Sequence, residues 1–196
     1  MPPMPPITQA LLLINVAAFC IDLFLGPWFV RLFALWPIGS YFFPWQVVTY
    51  AFLHGSFTHL FFNMFGLWMF GAELERLWGA KRFIQFFTAS ILAAALLQLA
   101  ITAATGSVYP TVGASGGLFG LLLAFGMMFP NRIIMPLIPP IPMKAKYFVA
   151  IYGAIELFLG VSSNNSGVAH FAHLGGMLGG YIMIRYWRGQ APFGRR

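Results

Sequence analysis

Six apolar blocks organise this chain, over residues 7–25, 58–77, 81–103, 115–129, 145–161 and 168–187. A helix needs about 20 predominantly apolar residues to cross a bilayer, so the blocks predict six spanning helices. Between the first two lies a segment, 26–57, rich in Trp, Phe and Pro (GPWFVRLFALWPIGSYFFPWQ). Amphipathic rings favour the membrane–water boundary, which predicts that this segment lies in the outer headgroup region.

The fourth block is short. From Ser115 to Phe129 it makes about 22 Å of helix, against a hydrocarbon core of about 30 Å. With its inner end at the cytoplasmic face near Pro130, its outer end stops about 8–10 Å below the outer face. The loop before it must dip into the membrane. Irregular backbone survives there only where protein buries it or water fills a cavity. Ser115 stands at that submerged end.

Composition agrees with a membrane as the solvent. Of 196 residues, 60% are hydrophobic and 8% charged, where an average soluble domain is about 25% charged. A chain this short cannot bury so much apolar surface in a water-soluble core. The expected fold class is an all-α polytopic membrane protein, a single domain over residues 1–196. The N-terminus, MPPMPP, has no basic stretch before its apolar block, which predicts a retained span and not a cleaved signal. The single cysteine, Cys20, excludes an intrachain disulfide and a thiolate metal cluster.

The formal charge of +7 does not indicate nucleic-acid binding, because the basic residues form short clusters between apolar blocks and no basic face. Their placement sets the orientation. With the N-terminus inside and six spans, the inner side receives Arg76, Lys81, Arg82, Arg132, Lys144, Lys146, Arg185, Arg188, Arg195 and Arg196, and the outer side Arg31 alone. That is a strong positive-inside bias, and a five- or seven-span threading would spoil it. The loops 104–114 and 162–167 carry no charge. Both termini are expected in the cytoplasm.

Three groups of residues carry chemistry. The first is GASGG, Gly113 to Gly117. It fits the G-x-S-x-G pattern of soluble hydrolases, but that pattern needs a preceding strand, and no parallel-sheet pattern exists here. Small residues also let membrane helices pack closely, and Gly116, Gly120 and Ala124 recur every four residues as a packing groove would. The second group is the histidines His54, His59, His170 and His173, all threaded to the outer side at about the level of Ser115. Ionisable side chains inside a membrane point to function, and a serine hydroxyl needs a base to take its proton. Gly176 and Gly180 share the helical face of His173. That face can close on the Gly-rich fourth helix and hold the imidazole against Ser115. The third group is His59 and Asn63, four residues apart on one helical face. They either donate hydrogen bonds to an oxyanion, with backbone N–H groups at the start of the fourth helix, or bridge helices.

Together these pieces resemble the rhomboid intramembrane proteases. The matching segments are the H-x-x-x-N pair at His59 and Asn63, GAELERLWG around Glu75, GASG with Ser115, and AHLGG with His173. Their order, the six-span layout and the aromatic first loop match as well. The resemblance implies a rhomboid-like six-helix bundle with a Ser–His dyad and no acidic third member. Ser115 would be the nucleophile and His173 the general base and acid. His59, Asn63 and the backbone N–H groups of Ser115 and Gly116 would line the oxyanion hole. The Ala before it and the Gly three residues after it assign the catalytic place to His173, not His170. Gly113, Gly176, Gly180 and His54 would support this unit. Many bacterial members carry Tyr four residues after the serine. Phe119 stands there, which predicts altered tuning of His173 without loss of activity. With no added soluble domain and no seventh span, the chain resembles the minimal bacterial form.

The acids are Asp22, Glu73, Glu75 and Glu156. Glu75 is expected in a structural role, paired with Arg or backbone donors. Glu156, inside the fifth block, is protonated, paired with a polar neighbour, or facing a water cavity. The fifth span is where the family is thought to admit substrate, so an effect of Glu156 on gating is a further reading.

The expected activity is hydrolysis of peptide bonds in or beside a transmembrane helix. Substrates should carry helix-weakening residues such as Gly near the cut, and the resemblance adds small residues before it. No cofactor or metal is implied. The expected partners are transmembrane substrates and lipids, with no nucleic acid and with a monomer as the working unit. The expected location is the bacterial inner membrane, with the active site opening outward. Three rivals remain. One is an inactive rhomboid relative that binds membrane proteins, against which the intact Ser115 and His173 argue. The second is a transporter, which lacks the usual paired broken helices. The third is a metalloprotease, which lacks an H-E-x-x-H pattern.

Overall fold

A computed structural model describes residues 3–136, 139–162 and 169–190. Nearly all ordered structure is helical. Helix α1 spans Pro6–Leu25 and α2 Pro27–Phe33, separated at Gly26. Helix α3, Gln46–Thr49, continues as a short 3-10 turn over Tyr50–Phe52. Helices α4, Phe57–Gly66, and α5, Ala72–Trp78, are joined by a π-helical turn, Leu67–Gly71. The extra residue in that turn re-aims α5 relative to α4. Then come α6, Ala80–Thr105, α7, Ser115–Met128, α8, Ala145–Ser162, and α9, His170–Trp187. A two-stranded antiparallel ladder, β1 (Ile133–Ile134) with β2 (Met143–Lys144), closes the connection between α7 and α8. Most of the uncharged loop 162–167, the first residue of the sixth apolar block, and Arg195 and Arg196 lie outside the described residues.

Among the described residues, α1, α6 and α8 are long and apolar enough to cross a membrane by length and composition. Their outward side chains are apolar and exposed, including Leu23 and Phe24 on α1, Leu96 on α6, and Phe158 and Val161 on α8. Such a surface is stable only against lipid. The chain is an integral membrane protein with a helical bundle fold.

The core lies where α9 packs on α6 and α7. Glycines set the separation. A methyl group added at Gly176 would collide with the Gly116 carbonyl, and one at Gly120 with Ser90 and the Gly176 carbonyl. Gly175 and Gly179 face Ala93 and Ala94 of α6 in the same way. Without side chains between them, two backbones gain close van der Waals contact that no hydrophobic effect supplies in lipid.

The aromatic first loop is held by one buried side chain, Gln46. Its Oε1 accepts from the Trp36 and Phe43 N–H groups, and its Nε2 donates to the carbonyls of Arg31, Leu32 and Tyr41. The loop in turn pairs with the segment before α7. The Leu35 and Thr111 N–H groups donate to each other's carbonyls at 3.0 and 2.9 Å. Glu75 is buried and ties α1 to α5. Its Oε1 accepts from the Ile7 N–H at 2.9 Å and its Oε2 from the Thr8 N–H and hydroxyl at 2.7 and 2.8 Å. These are donors that the first turn of a helix leaves unsatisfied, and a carboxylate there also meets the positive end of the helix dipole. Its partners are these backbone and hydroxyl donors, and no arginine is needed.

Candidate active site

Ser115 is the first residue of α7. Two features of the chain present it there. Gly113 has φ 127°, a conformation L side chains rarely adopt, and its N–H donates to the Tyr50 carbonyl at 2.9 Å. A Cβ at Gly113 would also stand 2.8 Å from the His59 ring. The loop can therefore turn into the helix only with glycine at this position. The first amides of α7 have no helical acceptor above them.

His173 reaches Ser115 from α9. Its Nε2 lies 2.8 Å from Ser115 Oγ. Phe119, one turn into α7, stacks flat on the imidazole, with ring centroids 4.3 Å apart and planes inclined by 8°. The Gly116–Gly176 and Gly120–Gly180 approaches hold the two helices at the separation this contact requires.

His59 and Asn63, both on α4, line the same cavity as Ser115, Phe119 and His173, of about 1290 Å³. Asn63 is buried and donates one amide hydrogen to the His59 carbonyl at 3.0 Å. An amide has two such hydrogens, so the other remains for the cavity. His54, in the loop before α4, packs edge-on against His59 at 5.0 Å. Its ring nitrogens are buried and make no well-aligned hydrogen bond, with the Phe52 backbone the nearby polar neighbour. Burial first, and then the neighbouring His59, lower the His54 pKa to about 4, so its ring is neutral at physiological pH.

One acid also reaches the site. Glu156 Oε2 is 2.8 Å from His173 Nδ1 and 2.6 Å from His170 Nδ1. The first contact is close enough for an ion pair, but the Nδ1–H direction is not in line for a hydrogen bond. An acid thus stands beside the Ser115–His173 pair, where the resemblance implied none. These contacts also settle which of the sequence alternatives holds for Glu156, since the side chain is paired with polar neighbours. Two spacings carry the signal. His170 and His173 are three residues apart on one face, and Glu156 has Gly153 and Gly160 on its own face. Gly160 lies against His170 and Phe171.

Glu156, His170 and His173 offer ligand atoms within 4.8 Å of one another. Tetrahedral zinc, with bonds near 2.0–2.1 Å, separates its ligands by roughly 3.3 Å. The 2.6 Å separation between Glu156 and His170 is that of a shared proton, and the 2.8 Å to His173 is an ion-pair distance; both are shorter than zinc ligation would set.

A family model described as Rhomboid domain matches residues 42–189. The chain belongs to the rhomboid family. This rhomboid is 35% identical over 147 residues to Rhomboid protein 1, mitochondrial, of Saccharomyces cerevisiae, a match covering 70% of this chain and 40% of the relative. It is 29% identical to Putative rhomboid protease YdcA of Bacillus subtilis, covering 71% of this chain and 65% of that protein. It is 27% identical to Rhomboid protease GlpG of Yersinia pestis, covering 93% of this chain and 62% of that protein. The rhomboid described here thus spans about two fifths to two thirds of the length of these relatives.

Proposed function

We propose that this chain is an intramembrane serine endopeptidase that cuts peptide bonds within or beside transmembrane segments of other membrane proteins. One observation carries the reading: the Ser115 hydroxyl lies 2.8 Å from His173 Nε2, in a cavity shared with His59 and Asn63. In this mechanism Nε2 takes the hydroxyl proton as Oγ attacks the scissile carbonyl carbon. The proton passes to the amine as the C–N bond breaks, leaving the acyl group on Oγ. Water, deprotonated by the same nitrogen, then releases the acid and restores the serine. The Ser115 and Gly116 N–H groups, the His59 ring and the second Asn63 amide hydrogen are the oxyanion donors.

In this reading α1, the α4–α5 helix, α6, α7, α8 and α9 are six spans, with both termini cytoplasmic. Helix α7 then covers about 21 Å, which sinks Ser115 below the outer surface, and the cavity opens outward. The protein works as a monomer in lipid, in a bacterial inner membrane. Substrates unwind locally at helix-weakening residues, with a small residue before the cut.

The test is cleavage of a transmembrane substrate in liposomes by wild type, Ser115→Ala and His173→Ala. Wild type is expected to cleave and both variants to lose activity. If either variant cleaves like wild type, the assignment of that residue is wrong. If wild type does not cleave, a relative that only binds membrane proteins becomes the better account.

A further inference from the structure

We infer that Glu156 is a positioning residue for the His173 base, making the site a serine–histidine–glutamate unit; the inference rests on the protease reading above. Glu156 Oε2 stands 2.8 Å from His173 Nδ1 while Ser115 Oγ stands 2.8 Å from Nε2 of the same ring. The imidazole therefore lies between a carboxylate and a hydroxyl, each on its own nitrogen.

This arrangement fixes where the imidazole proton sits. An unprotonated Nδ1 would place its partial negative charge 2.8 Å from a carboxylate oxygen, which is repulsive. The proton belongs on Nδ1, and the lone pair of Nε2 is left facing the serine. That is the tautomer a general base needs. When Nε2 takes the serine proton, the ring becomes a cation beside a carboxylate that is mostly buried, with 12% of its side chain exposed. The charge pair gains most where water is excluded. Catalytic hydrogen bonds are often poorly aligned before the transition state and tighten within it, which accommodates the off-line Nδ1–H direction.

The packing around Glu156 is built for this approach. Gly153 meets the thioether of Met177 on α9, with a Cβ position 3.3 Å from its methyl. Gly160 meets His170 and Phe171 at 3.2–3.3 Å. These two glycines, three residues before Glu156 and four after it, bring this face of α8 onto α9. His170 Nδ1 holds the same carboxylate oxygen at 2.6 Å. This second contact holds the carboxylate in place beside His173.

The experiment compares wild type and Glu156→Gln in liposomes by cleavage kinetics and by fluorophosphonate labelling of Ser115. Glutamine keeps the shape and removes the charge. Its kcat is expected to fall about 10- to 100-fold with KM unchanged within about 2-fold, and labelling should slow by the same factor. The loss is smaller than the roughly 10⁴-fold associated with an orienting aspartate, because Phe119 also holds the ring. A kcat equal to wild type would overturn the inference. Nitrogen-15 NMR of histidine-labelled wild type in liposomes supplies a second readout that needs no variant at Glu156. His173 should carry its proton on Nδ1, and a proton on Nε2 would overturn the inference even if Glu156→Gln fails to fold. If wild type is neither active nor labelled at Ser115, the protease reading falls and this role falls with it. If wild type is labelled and Glu156→Gln is unaffected, only the role of Glu156 falls.

Discussion

Gly176 of α9 touches Gly116 of α7 backbone to backbone, so closely that a single added methyl group would overlap the Gly116 carbonyl. His173 stands one turn before Gly176 and Ser115 one residue before Gly116. The contact that seals the two helices is therefore also the one that sets the distance between His173 and Ser115.

Gly176→Ala is expected to inactivate the protein and to lower its stability by about 1–3 kcal/mol or more, because no flexible side chain is available to give way. Alanine's better helix propensity, worth about 1 kcal/mol, is too small to compensate. Gly66→Ala is the matched control. Its added methyl would meet Leu118 at 3.7 Å, an ordinary contact, so stability should be unchanged or raised. Thermal unfolding in detergent, with fluorophosphonate labelling of Ser115, separates the two variants.

The stack of Phe119 on His173, at 4.3 Å and nearly parallel, should act through ring orientation. Phe119→Ala is expected to lower kcat about 10-fold, since it frees the imidazole to turn away from Ser115 and a rise of about 1.4 kcal/mol in the barrier slows the rate tenfold. Phe119→Tyr keeps the stacked face and should retain activity within about 3-fold. Cleavage kinetics on one transmembrane substrate decide both.

Glu75 should matter for stability and not for chemistry. Its carboxylate accepts three hydrogen bonds from the first turn of α1, far along the helix from His59. Glu75→Ala strands those donors and is expected to cost about 2–4 kcal/mol. The loss should appear as a lower unfolding temperature, while kcat below that temperature stays near wild type. A normal unfolding temperature would remove this role.

His54 gives a pH signature. Its pKa is lowered from 6.5 to about 4 by burial and by His59. The unfolded chain therefore binds more protons than the folded one between these values. Its stability penalty is absent above pH 6.5 and grows as pH falls toward 4. His54→Phe, which removes two buried nitrogens that make no well-aligned hydrogen bond, should raise stability by about 1 kcal/mol at neutral pH and flatten the acid side of the curve. Unfolding temperature measured across pH 4–8 checks both effects, and a parallel loss in wild type and variant would count against His54 as the source.

Much of the architecture was legible along the chain. Long apolar blocks become helices because a backbone in lipid must satisfy its own hydrogen bonds, and a helix does so locally. The glycine spacing around His173 and after Ser115 marks the faces that can close, since it needs only the helical repeat. The role of Glu75 could be narrowed to structure, but its partners could not be named, because α1 and α5 are about 70 residues apart in sequence and no local pattern links them.

The sequence by itself determined the solvent, the helical segments and the residue types able to carry acyl-transfer chemistry, because hydropathy and helical periodicity are properties of neighbours in the chain. Only the tertiary structure decided how α8 turns against α9, and so which side of the fifth helix meets the site. That rotation depends on packing between side chains far apart in sequence, here Gly153 and Gly160 against Met177, His170 and Phe171. Ser115 and His173 were candidates from the chain alone. The carboxylate of Glu156 on the far nitrogen of the same ring was not, because one helical turn of register would have carried it about 5.4 Å along the helix axis, away from His173.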